Sequence, residues 1–468
     1  MLSVRPSLSG LKLLIPLLLI VGTTVCLYDT NIQIIVPDLT YQHNGPVDKK
    51  GAFVQEFLET EIDGHYDINP LKDLCATREW KQGLVVKCMP PPGGVGNVKN
   101  MLLNCLRFAF EAGATGLIIP EITGRGSDLK NINTDVRFPL SHFFDKEHFT
   151  SSLSTACPQI HLYADQSELA IYPTTKQEHF IAPKDLSPNF HPVATTVIES
   201  VASWHLAFHA WLNTTAPSYS ASQPVLVAFS FQLLRFPLDF DDAYFVATFG
   251  RLFRFREDIR RLAATVLYSM NTKYHLDLDV NKQGVEAGKY YGAHLRTAGD
   301  AAAVGWPNYT TQAENYLSAA QAANLTLIYL TSGNPKDTER FSSSAANLSI
   351  SVATKTLLLS EPGFEDEKKQ MEELSWDQQG GIDYEVLLRS SFFGGMFESS
   401  FSWNAALRRH VVVGGGRWQS IGAGKQGVEI EMGGNGEDGT ESFRDPLSVI
   451  FGPVNLGIRW QFPLALWP

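Results

Sequence analysis

Apolar positions change their spacing several times along the chain, and each change marks an element. From Leu13 to Tyr28 the run is uncharged, with Pro16 its only proline, and Arg5 and Lys12 precede it. A positive flank followed by such a run predicts a signal peptide or signal anchor. The run is shorter than the ~20 residues that comfortably span an average bilayer, so it suits a cleaved signal or a thin early-secretory membrane. With the positive flank N-terminal, an uncleaved segment leaves the remaining chain in the lumen. The alternative is a buried N-terminal helix or strand. No second long apolar run follows, so the bulk reads as soluble. Organisation sharpens after Gly83. Leu84-Val85-Val86-Lys87-Cys88 is a short β-branched strand candidate, broken by Pro90-Pro91-Pro92-Gly93-Gly94. Val98, Met101, Leu102, Cys105, Leu106 and Ala109 then recur at the spacing of an amphipathic helix over 97–112. Gly113 stops it, and Thr115 to Ile119 reads as the next strand, ended by Pro120. Strand, glycine loop, helix and strand make a βαβ unit.

A second series follows. Helical spacing covers 257–268, 311–323, 384–388 and 402–410, and strand candidates lie at 290–295, 325–331 and 354–359. Alternating strands and helices predict an α/β architecture with parallel sheets. Two such series predict two Rossmann-like domains with a boundary near 240–255. The expected division is an anchor or signal peptide over 1–28, a stem and first elements over 29–75, an N-terminal Rossmann-like domain over 76–250 and a C-terminal one over 251–468. The stretch from Gly414 to Glu441, rich in glycine and acidic residues, reads as a long loop. No internal repeat is evident.

Composition narrows the partners. The chain's 468 residues suit two or more domains. A formal charge of −11 and a pI near 5.6 argue against nucleic acid, while leaving room for a local basic pocket. Sequons at Asn213, Asn308, Asn324 and Asn347 agree with a lumenal address. Past the anchor, Cys75, Cys88, Cys105 and Cys157 form an even set, which in an oxidising compartment predicts two disulfides with three possible pairings. Cys75–Cys88 with Cys105–Cys157 is the preferred guess. No pair has the close C-x-x-C spacing of a structural zinc site.

Three segments carry candidate chemistry. Gly93-Gly94-Val95-Gly96-Asn97 joins a strand to a helix, where glycines admit a phosphate or sugar close to the backbone. It matches neither the dinucleotide glycine spacing nor a P-loop, and a tight turn that binds nothing is the bland alternative. His294-Leu295-Arg296, with Asp300 following, closes a strand candidate. Ligands of open α/β sheets sit outside the carboxyl ends of strands, and arginine's planar, permanently charged fork suits a diphosphate. His294 as a packing residue and Asp300 as a cap are the alternatives. The third segment runs from Asp383 to Ser399-Ser400-Phe401, where small hydroxyls before a helix either offer donors to phosphate or cap the helix.

In this order the three segments resemble the GDP-fucose protein O-fucosyltransferase family, and more closely its fungal membrane-anchored members. The likeness rests on Gly93 to Asn97, on the H-x-R motif of His294 and Arg296, and on Asp383 with Ser399-Ser400-Phe401, and spans roughly 75–460. It implies a GT-B-like fold, two Rossmann-like domains facing a cleft, with the nucleotide sugar held mainly by the C-terminal half. It implies transfer of fucose from GDP-fucose to a hydroxyl acceptor on a glycoprotein or glycan, with no metal and no cofactor. Arg296 is then the catalytic residue. Gly93, Gly94, Gly96, Asn97, His294, Asp300, Asp383, Ser399, Ser400 and Phe401 would hold the donor. The expected address is the Golgi or endoplasmic reticulum lumen, as a single-pass type II membrane protein held by residues 13–28, or secretion if these are cleaved. Some members carry arginine or glutamate in the glycine loop where this chain has Gly94, so no general base is evident; Glu121 and Asp128, which follow the first βαβ unit, are the candidates to reach the cleft, with a structural role the preferred alternative. A catalytically inactive lumenal binding protein is the alternative. A nicotinamide enzyme is disfavoured, since neither half has the required glycine spacing with a later acidic residue.

Overall fold

The computed structural model describes residues 48–125, 136–187, 197–231, 233–303, 305–421, 441–452 and 461–468. The expected anchor at 1–28 and most of the loop at 414–441 lie outside them. Among the described residues no helix is long and apolar enough to cross a membrane.

The N-terminal half opens with helices α1 (Lys49–Glu59) and α2 (Asn69–Thr77) and continues through β1 (Lys81–Cys88), α3 (Val95–Glu111) and β2 (Ala114–Ile118). The predicted βαβ unit is therefore present, with its helix starting two residues earlier. A small hairpin of β3 (Glu121–Thr123) and β4 (Arg137–Pro139) follows, then α4 (Lys146–Ala156), β5 (His161–Tyr163), β6 (Glu178–Ile181), α5 (Val201–Thr215), β7 (Val225–Phe229) and α6 (Ala243–Phe249). The main sheet has the order β5-β2-β1-β7-β6, and all its pairs are parallel. Helix α7 (Glu257–Tyr274) then leads to the second sheet.

The C-terminal half runs β8 (Tyr291–Leu295), α8 (Gly299–Ala303), α9 (Tyr309–Ala322), β9 (Leu327–Ser332), α10 (Pro335–Ala346) and β10 (Ser351–Ala353). It continues with α11 (Lys355–Leu358), α12 (Glu365–Glu373), α13 (Trp376–Leu388), β11 (Phe392–Met396), α14 (Ser400–Val413), β12 (Glu441–Arg444), β13 (Ser448–Phe451) and α15 (Phe462–Ala465). The sheet order is β10-β9-β8-β11-β13-β12, parallel except for the edge strand β12. Strand order reverses beside β1 in one sheet and beside β8 in the other. Such reversals open a crevice at the carboxyl ends of the strands.

Two expectations need correction. Residues 354–359 are not a strand: the Thr354 side chain accepts from the backbone of Leu357 and caps the short helix α11, and the strand lies just before it. The disulfides are Cys75–Cys157 and Cys88–Cys105, not the preferred pairing. Cys88 ends β1 while Cys105 lies on the helix that packs back on that strand, so the βαβ unit itself brings these two together; α2 packed on α4 does the same for Cys75 and Cys157.

Helix α3 also departs from its amphipathic pattern. Lys99, Asn100, Asn104, Arg107 and Glu111 are buried as thoroughly as its apolar side. The reason is position: α3 contacts α13 and α14 of the second half as well as its own sheet. Its polar groups are matched from both halves. Asn100 and Asn104 donate to the carbonyl of Ala465 at 3.2 and 3.3 Å, and Arg107 grips Asp241 at 2.6 and 2.7 Å. Pairing of this kind is what makes burial of polar groups tolerable. One continuous apolar cluster runs from Phe53 through α3, α7, α13 and α14 to Trp467.

Candidate functional site

The glycine loop and the Ser-Ser-Phe turn meet. Gly93 sits at φ +102°, in the left-handed region that favours glycine, and Gly94 follows as the N-cap of α3. A Cβ on Gly96 would lie 2.8 Å from the backbone nitrogen of Phe401 and 3.0 Å from the carbonyl carbon of Ser400. The N-termini of α3 and α14 therefore abut, one from each half. Asn97 lies in the first turn of α3, its amide 3.3 Å from the Cβ position of Gly93. Ser399 is the N-cap of α14, accepting from the backbone nitrogen of Ser402 at 3.2 Å.

His294 and Arg296 stand at the carboxyl end of β8. His294 is buried, with Nδ1 2.8 Å from Ser402 Oγ and its ring 4.7 Å from that of Phe401. Burial, and secondarily the Arg296 charge, pushes it down to about 3, so the imidazole is neutral near pH 7. The backbone of Arg296 is clamped by Gln312, whose Oε1 accepts from its nitrogen at 2.8 Å while Nε2 donates to its carbonyl at 3.0 Å. Its guanidinium is paired with Asp300 and lies 5.7 Å from the ring of Trp306 and 5.4 Å from that of Trp376. Nη1 of Arg296 is buried with no acceptor among the described residues. Burial raises Asp300, but the Arg296 hydrogen bond and the charges of Arg296 and Arg125 outweigh it and hold the carboxyl below its ordinary value.

Asp383 makes its hydrogen bonds to other partners. It accepts from Tyr329 Oη at 2.7 Å and Lys355 Nζ at 2.6 Å, joining α13 to β9 and α11. Glu121 is exposed on β3, and Asp128 is outside the described residues.

Three side chains enter the cluster that the sequence patterns did not single out. Arg125, just past β3, donates from Nη1 to Asp300 Oδ2 at 3.1 Å. Asp377 has an oxygen 3.5 Å from Arg125 Nε. Burial pushes its carboxyl above the ordinary value despite the opposing charges of Arg125 and Arg296. Trp376 covers both guanidiniums, 5.6 Å from Arg125 and 5.4 Å from Arg296. One signal was available: Ser375 and Gln378 form a capping box, which fixes the start of α13 and places Trp376 and Asp377 in its first turn. Among the described residues no group of three or more His, Cys, Asp or Glu side chains is arranged to hold a metal ion.

POFUT1 in complex with GDP-fucose is 13% identical over 80% of this chain and 99% of that chain, with a TM-score of 0.43. POFUT1 in complex with GDP is 12% identical over 71% and 96%, with a TM-score of 0.42. The fucosyltransferase NodZ from Bradyrhizobium is 14% identical over 70% and 92%, with a TM-score of 0.35. No curated protein sequence matches the chain. The sequence profile described as GDP-fucose protein O-fucosyltransferase matches residues 84–412, a span that begins in β1, takes in the glycine loop, the H-x-R strand and the Ser-Ser-Phe turn, and ends in α14. On that match, over a chain with two largely parallel sheets, the chain belongs to the GDP-fucose protein O-fucosyltransferase family.

Proposed function

We propose that the chain transfers fucose from GDP-fucose to a hydroxyl of a glycoprotein or glycan, with protein serine or threonine as the expected acceptor. The observation that carries this reading is Arg296: a permanently charged fork, anchored at the carboxyl end of β8, its side chain 12% exposed, and with one buried amino group unspent. As the bond between the sugar and GDP breaks, negative charge develops on a phosphate oxygen and positive character on the sugar ring. A fixed guanidinium shielded from water stabilises the first of these. The neutral His294 and the abutting helix N-termini would seat the nucleotide. Asp377 is the carboxylate we assign to accept the acceptor's proton, because burial makes it a stronger base than an exposed aspartate.

Two disulfides and the family support the secretory pathway. Within it we infer a type II anchor at residues 13–28, Golgi or endoplasmic reticulum residence, and kinship with the fungal membrane-anchored members. Calorimetric titration of the detergent-solubilised full chain with GDP and GDP-fucose, beside Arg296→Ala, tests the donor assignment. Binding should be lost in the variant, and donor turnover should fall by about 10²- to 10³-fold, the usual cost of removing one such donor. Absence of GDP binding by folded wild-type protein sinks the assignment. Binding without transfer to any acceptor would instead leave a lumenal nucleotide-binding protein.

A further inference from the structure

The two arginines of the cluster come from different halves of the molecule. Arg296 follows β8, and Arg125 follows β3 of the hairpin beside the first sheet. Both donate to the same oxygen, Asp300 Oδ2. One carboxylate oxygen cannot satisfy two guanidiniums with five donors each. The shortfall is visible: Nε of Arg125 and Nη1 of Arg296 are buried without an acceptor among the described residues. Asp377 does not close it, since its oxygen stands 3.5 Å from Arg125 Nε, outside hydrogen-bond geometry. The Arg125 side chain is only 8% exposed, so water does not freely make up the difference.

Gly94 explains how Arg125 gets there. A Cβ built on Gly94 would lie 2.7 Å from Arg125 Nη2, so the guanidinium sits in room that any other residue would fill. Gly94 itself has φ −73° and ψ 164°, ordinary extended backbone. Its lack of a side chain therefore serves space, not backbone conformation.

We propose that Arg125, lodged in the space left by Gly94, is a second donor-binding arginine that grips the diphosphate of the nucleotide sugar together with Arg296. The proposal rests on the reading of the cleft as a nucleotide-diphosphate site. A diphosphate carries several oxygens with free lone pairs, and two forks facing it from opposite halves accept its charge without rearranging the fold. Asp300 holds both forks in place until the anion arrives. Trp376, lying over both guanidiniums, keeps their planes from turning away.

The test titrates the full-length wild-type chain, Arg125→Ala, Arg125→Lys, Gly94→Ala and Arg296→Ala with GDP and with guanosine, alongside thermal unfolding of each. Arg125→Ala should weaken GDP by tenfold or more and leave guanosine unchanged, because only the phosphates are gripped. Arg125→Lys should recover part of the loss, as a point charge in place of a fork. Gly94→Ala should weaken GDP in the same sense by displacing the guanidinium, and it decides the matter alone if Arg125→Ala does not fold. Unaltered GDP affinity in the Arg125 and Gly94 variants, with loss in Arg296→Ala, overturns the proposal and leaves the donor site intact. Equal weakening of GDP and guanosine overturns it too, since that marks a structural tie between the halves. Absence of GDP binding in the wild type removes the donor-site reading and this proposal with it.

Discussion

Arg296, Arg125, Asp300 and Asp377 form a cluster in which each side chain's chemistry depends on the others. Two carboxylates beside two guanidiniums would ordinarily both be held low. Asp300 is, because it takes direct hydrogen bonds from both arginines. Asp377 lacks such bonds to either, and burial wins. On the proposed reading this split gives similar groups different tasks: Asp300 positions the arginines and Asp377 takes the proton. The acid limb of the kcat/KM profile for transfer should therefore lie above the ordinary aspartate value of about 3.9. Activity should be lost as pH falls through it, since the base must be ionised. Asp377→Asn should abolish that limb and lower turnover by about 10²- to 10⁴-fold, the usual contribution of a general base. A limb that persists in the variant belongs to another group. Little of this was legible in the sequence. His294 and Arg296 announce themselves by motif, whereas Arg125 acquires its role from Asp300, 175 residues along the chain, and Asp377 from its place beside Arg125.

At the scale of elements, the contact between α3 and α14 matters most. Both helices begin at carboxyl ends of strands, and Gly96 lets their first turns touch backbone to backbone. Gly96→Val should force the two apart or strain them, at about 1–3 kcal/mol by the usual cost of overpacking. GDP binding should weaken in parallel, because the displaced turn carries Ser399, Ser400 and Phe401. Denaturant unfolding with GDP titration reads both effects, and unchanged midpoints would show that the contact is looser than the distances imply. The elements themselves were largely readable. Strand and helix patterns around 84–119 and 290–331 need only local spacing, which is printed in the chain. The segment at 354–359 misled because Leu357, Leu358 and Leu359 fit either a short strand or a helical turn. A single cap by Thr354 decided it.

For the whole molecule, buried titratable groups set the response to acid. His294 is pushed down to about 3, and His148 and His209 to about 4, in each case chiefly by burial. A histidine with a depressed folded value contributes stability above its unfolded value near 6.5 and loses it as pH falls toward the folded value. For the fully buried His294 the loss by pH 5 is about 2 kcal/mol. Glu61, whose burial is outweighed by Arg408, Arg251 and Arg260, acts in the same direction at lower pH. Asp377 and Glu385 oppose it, since their folded values are raised. The melting temperature should fall from pH 7 to pH 5, and replacing His294 by a neutral residue of similar shape should flatten that slope. An unchanged slope in that variant would mean that His294 is not buried neutral.

The sequence by itself determined the α/β class, the two strand-helix series, the family and the motifs at strand ends, because these depend on local spacing and on residues close together in the chain. Tertiary structure alone decided the rest. Disulfide partners follow from which helix folds back on which strand, and four cysteines give no hint of that. The buried polar face of α3 looks like a surface until distant segments of both halves are packed against it. Gly94 reads as one more flexible residue in a glycine loop until Arg125 is found in the space beside it. Such facts depend on contacts between distant segments, and only folding brings those together.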